Sequence, residues 1–335
     1  MKLTDRIQAS GASLTDLIHI VITSDTSQNS AGSSYKIPMS EYAALFGGAT
    51  SEYWTSGSTG YQSIKANNDS GLDATGDYSV AEGEATQAIG LSSHAEGTST
   101  LANGISSHAE GEETTAFGNY SHAEGFNTIS SGGTSHAEGN GTTGYGDGSH
   151  AEGSTTTAFG IASHAEGFGT IASGNYSHAE GRYTTATGNT SHTEGWLTLA
   201  SGLRTHAEGE RTTATGNYSH SEGFNTTANG EASHSEGYET ISSGDRSHAG
   251  GSTSVASGTT SFVHGTSSVA GGNSTIVLGD NMTGTTNNTT YVETLSLTTV
   301  RDYANDGAAD SDISLASGGL YTTSGTTGRA VYRKP

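Results

Sequence analysis

Glycine occupies every seventh position from Gly76 to Gly279, thirty times without a gap. Twelve histidines ride on that ruler at a spacing of fourteen, from His94 to His248; only His19 and His264 fall outside the series. Each of the first eleven is followed two residues later by glutamate and three residues later by glycine. Such a period belongs to a one-dimensional repeat fold, in which each unit buries its face against the units before and after it.

Composition alone points elsewhere. Only 30% of the 335 residues are hydrophobic and 50 are glycine, a balance that suggests disorder. The register overrides it, because a disordered segment has no physical reason to keep one. With no cysteine, nothing staples the chain and no compartment can be read from thiols. The formal charge is −22, and the basic residues of the repeats are Arg182, Arg204, Arg211 and Arg246. That balance excludes a nucleic-acid groove and docking on an anionic membrane. No apolar run reaches the roughly 18 residues of a membrane helix. The first residues lack the apolar core of a signal peptide, so neither membrane insertion nor an export signal is expected.

The rung reads S-H-A-E-G-x-x-T-x-A-x-G-x-x, with residues 177–188 a clean copy. Both halves alternate with period two and stop at glycine, which predicts two strands of about five residues joined by glycine corners. A helix is excluded, since each interior glycine costs it about 1 kcal/mol. The fold class is therefore all-β: a parallel β-roll, or β-solenoid, of about fifteen 14-residue rungs over residues 72–283, stacked about 4.8 Å apart.

Uniformity assigns the faces. Thr184 and Ala186 share one face that hardly varies between rungs, while Tyr183, Thr185 and Thr187 share one that varies freely. Uniform and small marks the interior; variable marks solvent. Ser177, Ala179 and Gly181 form the inner set of the first half by the same parity. His178 and Glu180 then point outward, yet they are as uniform as the core. A face of that kind meets the same partner at every level, and the simplest is another copy of the chain about a threefold axis. The expected interface comprises His94, Glu96, His108, Glu110, His122, Glu124, His136, Glu138, His150, Glu152, His164 and Glu166. It continues through His178, Glu180, His192, Glu194, His206, Glu208, His220, Glu222, His234, Glu236 and His248. Phe262 and His264, then Ile276 and Leu278, take over the same positions where the series stops, and Val80 precedes it. Apolar residues there read as plugs closing an axial interface. An interior of Ser, Ala, Thr and Gly buries little apolar area, at about 25 cal/mol per Å², so association is expected to be a condition of stability.

The rung resembles the head repeats of trimeric autotransporter adhesins, S-V-A-I-G-x-x-A-x-A-x-G, position for position over residues 72–283. The resemblance implies a left-handed parallel β-roll assembled as a homotrimer, with the Val and Ile positions facing the trimer interior. Here those positions carry His and Glu. Signal peptide, heptad stalk and C-terminal membrane-barrel anchor are not recognisable, which disfavours a cell-surface adhesin as the first alternative. The S-H-A-E-G variant is similar to repeats in tail fibres and other virion proteins of bacteriophages. Asp16-Leu17-Ile18-His19-Ile20-Val21 with Ser33-Ser34-Tyr35-Lys36-Ile37-Pro38 resembles the opening domain of such fibres, and Gly318-Gly319-Leu320-Tyr321 their short closing modules. That resemblance implies a structural protein on the surface of a virion, attached to other virion proteins through residues 1–46 and free at its C-terminal tip. A host-surface glycan or protein is the implied target. A virion decoration or scaffold protein without a receptor role is the second alternative.

Histidine and glutamate also ligate metal, and His94, Glu96, His108, Glu110, His122 and Glu124 would begin such a column. One site would suffice for that purpose, whereas the pattern runs for eleven rungs. A structural His–Glu network is the expected reading, with no metal and no cofactor. Stacked carboxylates repel at this spacing. Compensation must come from protonated histidines, neutral hydrogen-bonded pairs, water or cations. Catalysis is not expected: Ser177 and His178 are adjacent on a strand, so the hydroxyl and the imidazole point to opposite faces. Phe126, Phe168, Trp196, Phe224 and Tyr238 all follow the first glycine of a rung, and Tyr120, Tyr176 and Tyr218 stand two residues before a histidine. They are candidate contacts to host-surface sugars, or corner residues packed on a neighbouring subunit.

Outside the roll, residues 1–46 read as an N-terminal attachment module with strands near 17–23 and 35–37 and a short helix near 40–46. Residues 47–71 form a Gly/Ser/Thr-rich connector. Residues 284–335 hold one more strand, near 291–300, and a basic tip with Arg329, Arg333 and Lys334.

Overall fold

A computed structural model describes residues 54–66 and 73–294 in full, together with the backbone of five short strands outside them. Among the described residues every regular element is a strand. The chain divides into two compact units, residues 1–209 and 210–335.

In the first unit, Ile18–Ile22 pairs antiparallel with Ser33–Ile37. The helix expected near 40–46 lies outside the described residues. Trp54–Ser56 and Ile64–Ala66 form an antiparallel hairpin, and Ile64 then opens a parallel ladder by pairing with Val80. From there each long strand lies in register with the one fourteen residues later: His108 opposite His122, Ala109 opposite Ala123, Glu110 opposite Glu124. Short strands such as Thr115–Ala116 and Ile129–Ser130 form a second parallel ladder on the other side of the roll.

The second half-rung is shorter than its alternation predicts: Thr185–Ala186 spans two residues, against five for His178–Arg182. Thr187 and Gly188 both donate their N–H to the Ala200 carbonyl, at 2.9 and 3.2 Å, so the chain is already turning. Ser191 N–H closes that turn on the Gly188 carbonyl, and its counterpart Ser177 adds a hydroxyl bond of 2.6 Å to Gly174. Hydrogen bonds within the corner thus end the strand before a third ladder pair can form.

The two glycines of a rung differ in kind. Gly188 is buried, and a Cβ there would overlap the Gly202 carbonyl of the next rung. Gly181 has φ +104 and is exposed, which corrects its expected inward placement. Its backbone leaves the strand conformation, so parity no longer fixes its direction. Side-chain-bearing corners carry positive φ as well: Tyr176 at 58 and Tyr183 at 55. Tyr183 N–H donates to the Phe168 carbonyl at 2.8 Å, tying each corner to the rung before it.

The interior is as small as expected, with Ser177, Ala179, Thr184 and Ala186 at 0–2% exposure. In the second unit the long-strand ladder runs from His220–Phe224 through His234–Tyr238, His248–Ser252, Phe262–Thr266 and Ile276–Leu278 to Thr290–Val292. There Val263 and Val277 enlarge the core, with Met282 and Tyr291 packed against it. Arg301–Tyr303, Leu320–Thr323 and Val331–Arg333 form a separate three-stranded sheet.

Candidate functional site

The parallel register that stacks the rungs also stacks their outward side chains. In the first unit the imidazoles from His94 to His206 form one column, with ring centroids 4.7–4.9 Å apart and planes within 7° of parallel. That spacing is the strand spacing itself. The glutamates form a second column beside the first. The imidazole edges of His94, His122, His150 and His164 face carboxylates of two rungs: His164 Nε2 lies 3.5 Å from Glu152 and 3.9 Å from Glu166. His94 does the same with Glu82 at 3.3 Å and Glu96 at 3.8 Å. Rings and carboxylates remain about one-third exposed in the single chain. The expected interface residues of this unit, His94 to Glu208, are thus one continuous face.

Protonation supplies part of the required compensation. Glu96, Glu124 and Glu194 are pushed up to about 7, first by sharing hydrogen bonds with the carboxyls of adjacent rungs and then by burial. Glu110 and Glu138, which accept those hydrogen bonds, are held below the usual carboxylate range. Carboxyls packed this closely cannot all ionise, so protons are shared along the column. Burial, and then the neighbouring rings, lower His108, His136, His164, His178, His192 and His206 below the ordinary histidine value. Desolvation and ring–ring repulsion win over the attraction of the carboxylates, and these imidazoles are neutral at pH 7.

Beside the glutamates, the glycines from Gly83 to Gly195, half-buried at Gly83 and Gly97 and exposed from Gly111 on, leave bare backbone. With the carboxylates from Glu82 to Glu194 they line an open groove of about 1440 Å³. A side chain at any of those glycines would overlap the next rung's glycine carbonyl, so the groove follows from the stacking itself.

In the second unit, His220, His234 and His248 continue the pattern with Glu222 and Glu236. Phe262 and Ile276 then take the histidine column, and His264 and Leu278 the glutamate column. The Phe262 ring stacks on His248 at 4.7 Å. Glu236 Oε1 faces His248 Nε2 at 3.3 Å and His264 Nδ1 at 3.9 Å. Ile276 and Leu278 stay exposed.

The five aromatics after the first glycine are not gathered into one patch. Phe126 pairs in register with Asn140, while Phe168, Arg182 and Trp196 occupy successive rungs. The Arg182 guanidinium lies over Phe168 and Tyr183. In the second unit Phe224 stacks on Tyr238 at 5.1 Å. A further aromatic set went unread in the sequence: Phe117, Tyr145 and Phe159 are exposed, and the rings of the last two stack at 4.9 Å. The signal was present, since all three follow the inward residue of the second half-rung. Ser177 directs its hydroxyl to the Gly174 carbonyl inside the roll, away from the His178 ring.

The model for the YadA head domain repeat matches twice, over residues 95–121 and 165–191. No curated protein matches this chain. Residues 95–121 and 165–191 each span about two turns of the roll, and over those turns the chain is similar to head repeats of the YadA type.

Proposed function

We propose that the chain is a structural, rod-forming protein that works as a homotrimer, its His/Glu face turned toward the threefold axis. One observation carries this reading. The His and Glu columns repeat without variation on an outward face, whereas the solvent face at Tyr183, Thr185 and Thr187 changes from rung to rung. Fixed chemistry on a half-buried face is what a repeated contact with an identical neighbour requires. The head-type repeats support it, as does an interior of Ala, Ser and Thr that leaves a single chain little apolar burial.

The finer reading is an appendage of a bacteriophage particle, such as a tail fibre. Residues 1–46 would hold the particle, and exposed residues such as Tyr145, Phe159 and Phe168 would meet a host-surface glycan or protein. The S-H-A-E-G form of the rung supports it. Catalysis has no part in this function.

Hydroxyl-radical footprinting of the purified full chain tests the interface. His150 and His164 are expected to be protected, while Tyr145 and Phe159 label strongly. Equal labelling of the rings and the outer aromatics would remove the His/Glu face from any interface.

A further inference from the structure

The His/Glu face has the donors of a metal-binding surface. His122, Glu124 and His136 bring their ligand atoms within 4.8 Å of one another, and so do Glu82, His94 and Glu96, and His164, Glu166 and His178. Distances between rungs are more telling. His94 Nε2 to Glu82 is 3.3 Å, and His122 to Glu110 and His164 to Glu152 are both 3.5 Å. Two ligands bound to a tetrahedral zinc ion at about 2.0–2.1 Å are separated by about 3.3–3.4 Å. The imidazole and carboxylate atoms already stand at the bite of such an ion.

A second, independent feature points to a ligand. The Nε2 atoms of His108, His122, His136, His150 and His164 are shielded from solvent and make no hydrogen bond. A neutral imidazole leaves one ring nitrogen with a free lone pair, and an unpaired buried nitrogen costs free energy unless something meets it. The carboxylate column supplies the opposing charge.

We propose that the His/Glu face binds a row of divalent transition-metal ions of the zinc class. Each ion is held between the Nε2 of one rung and the carboxylate of the rung before it, with water or further donors completing the shell. Nitrogen donors set this class apart from calcium and magnesium, which take oxygen shells. Ions in every rung would sit about 4.8 Å apart and repel strongly, so about one ion for every two rungs is expected. All donors of a site come from one chain, and the inference stands apart from the trimer.

Untagged full chain, stripped with chelator and dialysed against zinc at pH 7.5, would be assayed for bound metal by mass spectrometry. The expected content is on the order of six ions per chain, half of the twelve His–Glu pairs from His94–Glu82 to His248–Glu236. The double variant Glu110→Gln/Glu138→Gln, which removes the carboxylates facing His122 and His150 at 3.5 and 3.7 Å, is expected to hold one to two fewer. Its strand circular dichroism should be unchanged. Retention of less than one ion per chain, an undiminished content in the folded variant, or displacement of zinc by equimolar calcium would each overturn the proposal. A variant that loses the strand spectrum is replaced by His122→Gln/His150→Gln, with the same expected loss. Light scattering on the stripped chain reports the trimer separately.

Discussion

The Nε2 edge of His122 faces Oε1 of Glu110, one rung earlier, across 3.5 Å. His122 also faces Glu124 of its own rung at 3.8 Å. Because the contact steps back one rung while the strand runs forward, the two columns interlock.

The ring column should lose stability on mild acidification. The lowered rings, His108, His136, His164, His178, His192, His206 and His248, contribute stability above the unfolded value of 6.5, and lose it as pH falls through their folded values. Glu96, Glu124 and Glu194 act oppositely: their contribution is complete below 4.5 and is lost as pH rises through about 7. In a Glu96→Gln/Glu124→Gln/Glu194→Gln variant, which removes that opposing contribution, calorimetry should give a lower Tm at pH 5.5 than at pH 7. A higher Tm at pH 5.5 would refute the neutral-ring column.

Fixing the shared protons should act at the other end of the scale. Glu96→Gln/Glu124→Gln replaces two carboxyls that hold protons near pH 7 with neutral, isosteric amides. The variant should match the parent near pH 4, where both carboxyls are protonated in the folded and unfolded chain alike, and exceed it in Tm at pH 8.5. A lower Tm at both values would show that these positions are ionised in the folded chain.

Glycines of different kinds should respond differently. Gly188→Ala drives a methyl into the Gly202 carbonyl, and Gly181→Ala adds strain at φ +104 to a clash with Gly195. Each should cost more than about 1 kcal/mol in denaturant unfolding. Gly141 sits at φ +64, with Thr155 Cγ2 the nearest atom at 3.8 Å. Gly141→Asn, which copies Asn127 at the same corner, should cost less than about 0.5 kcal/mol.

Two buried threonines of equal exposure make a sharper pair. Thr184 Oγ1 has no hydrogen-bond partner, whereas Thr226 Oγ1 bonds Ser221 at 2.8 Å and the Glu222 carbonyl at 3.1 Å. Thr184→Val should leave stability unchanged or raise it, and Thr226→Val should lower it by about 1 kcal/mol. Equal effects in urea titrations would mean that Thr184 is bonded in solution.

Much of this was legible because stacking turns sequence period into space. Fourteen-residue register, the inward Thr184 and Ala186 and the outward His178 and Glu180 follow from parity and uniformity alone. Parity failed where the backbone leaves the strand conformation, at Gly181 and at the turn after Ala186. The Asn119, Asn175 and Asn189 side chains also escaped notice. Each accepts an N–H from the rung before it, Asn119 from Ile105 at 2.9 Å, and so satisfies a corner donor. Sequence shows asparagine recurring after the second glycine, but only the corner geometry reveals an unpaired N–H there.

The mass of the full chain by static light scattering, near neutral pH, tests the central claim most directly. A homotrimer of the 33.9 kDa chain weighs about 102 kDa, and that is the predicted result. A mass near 33.9 kDa at micromolar concentration would leave the His/Glu face in solvent and contradict the account.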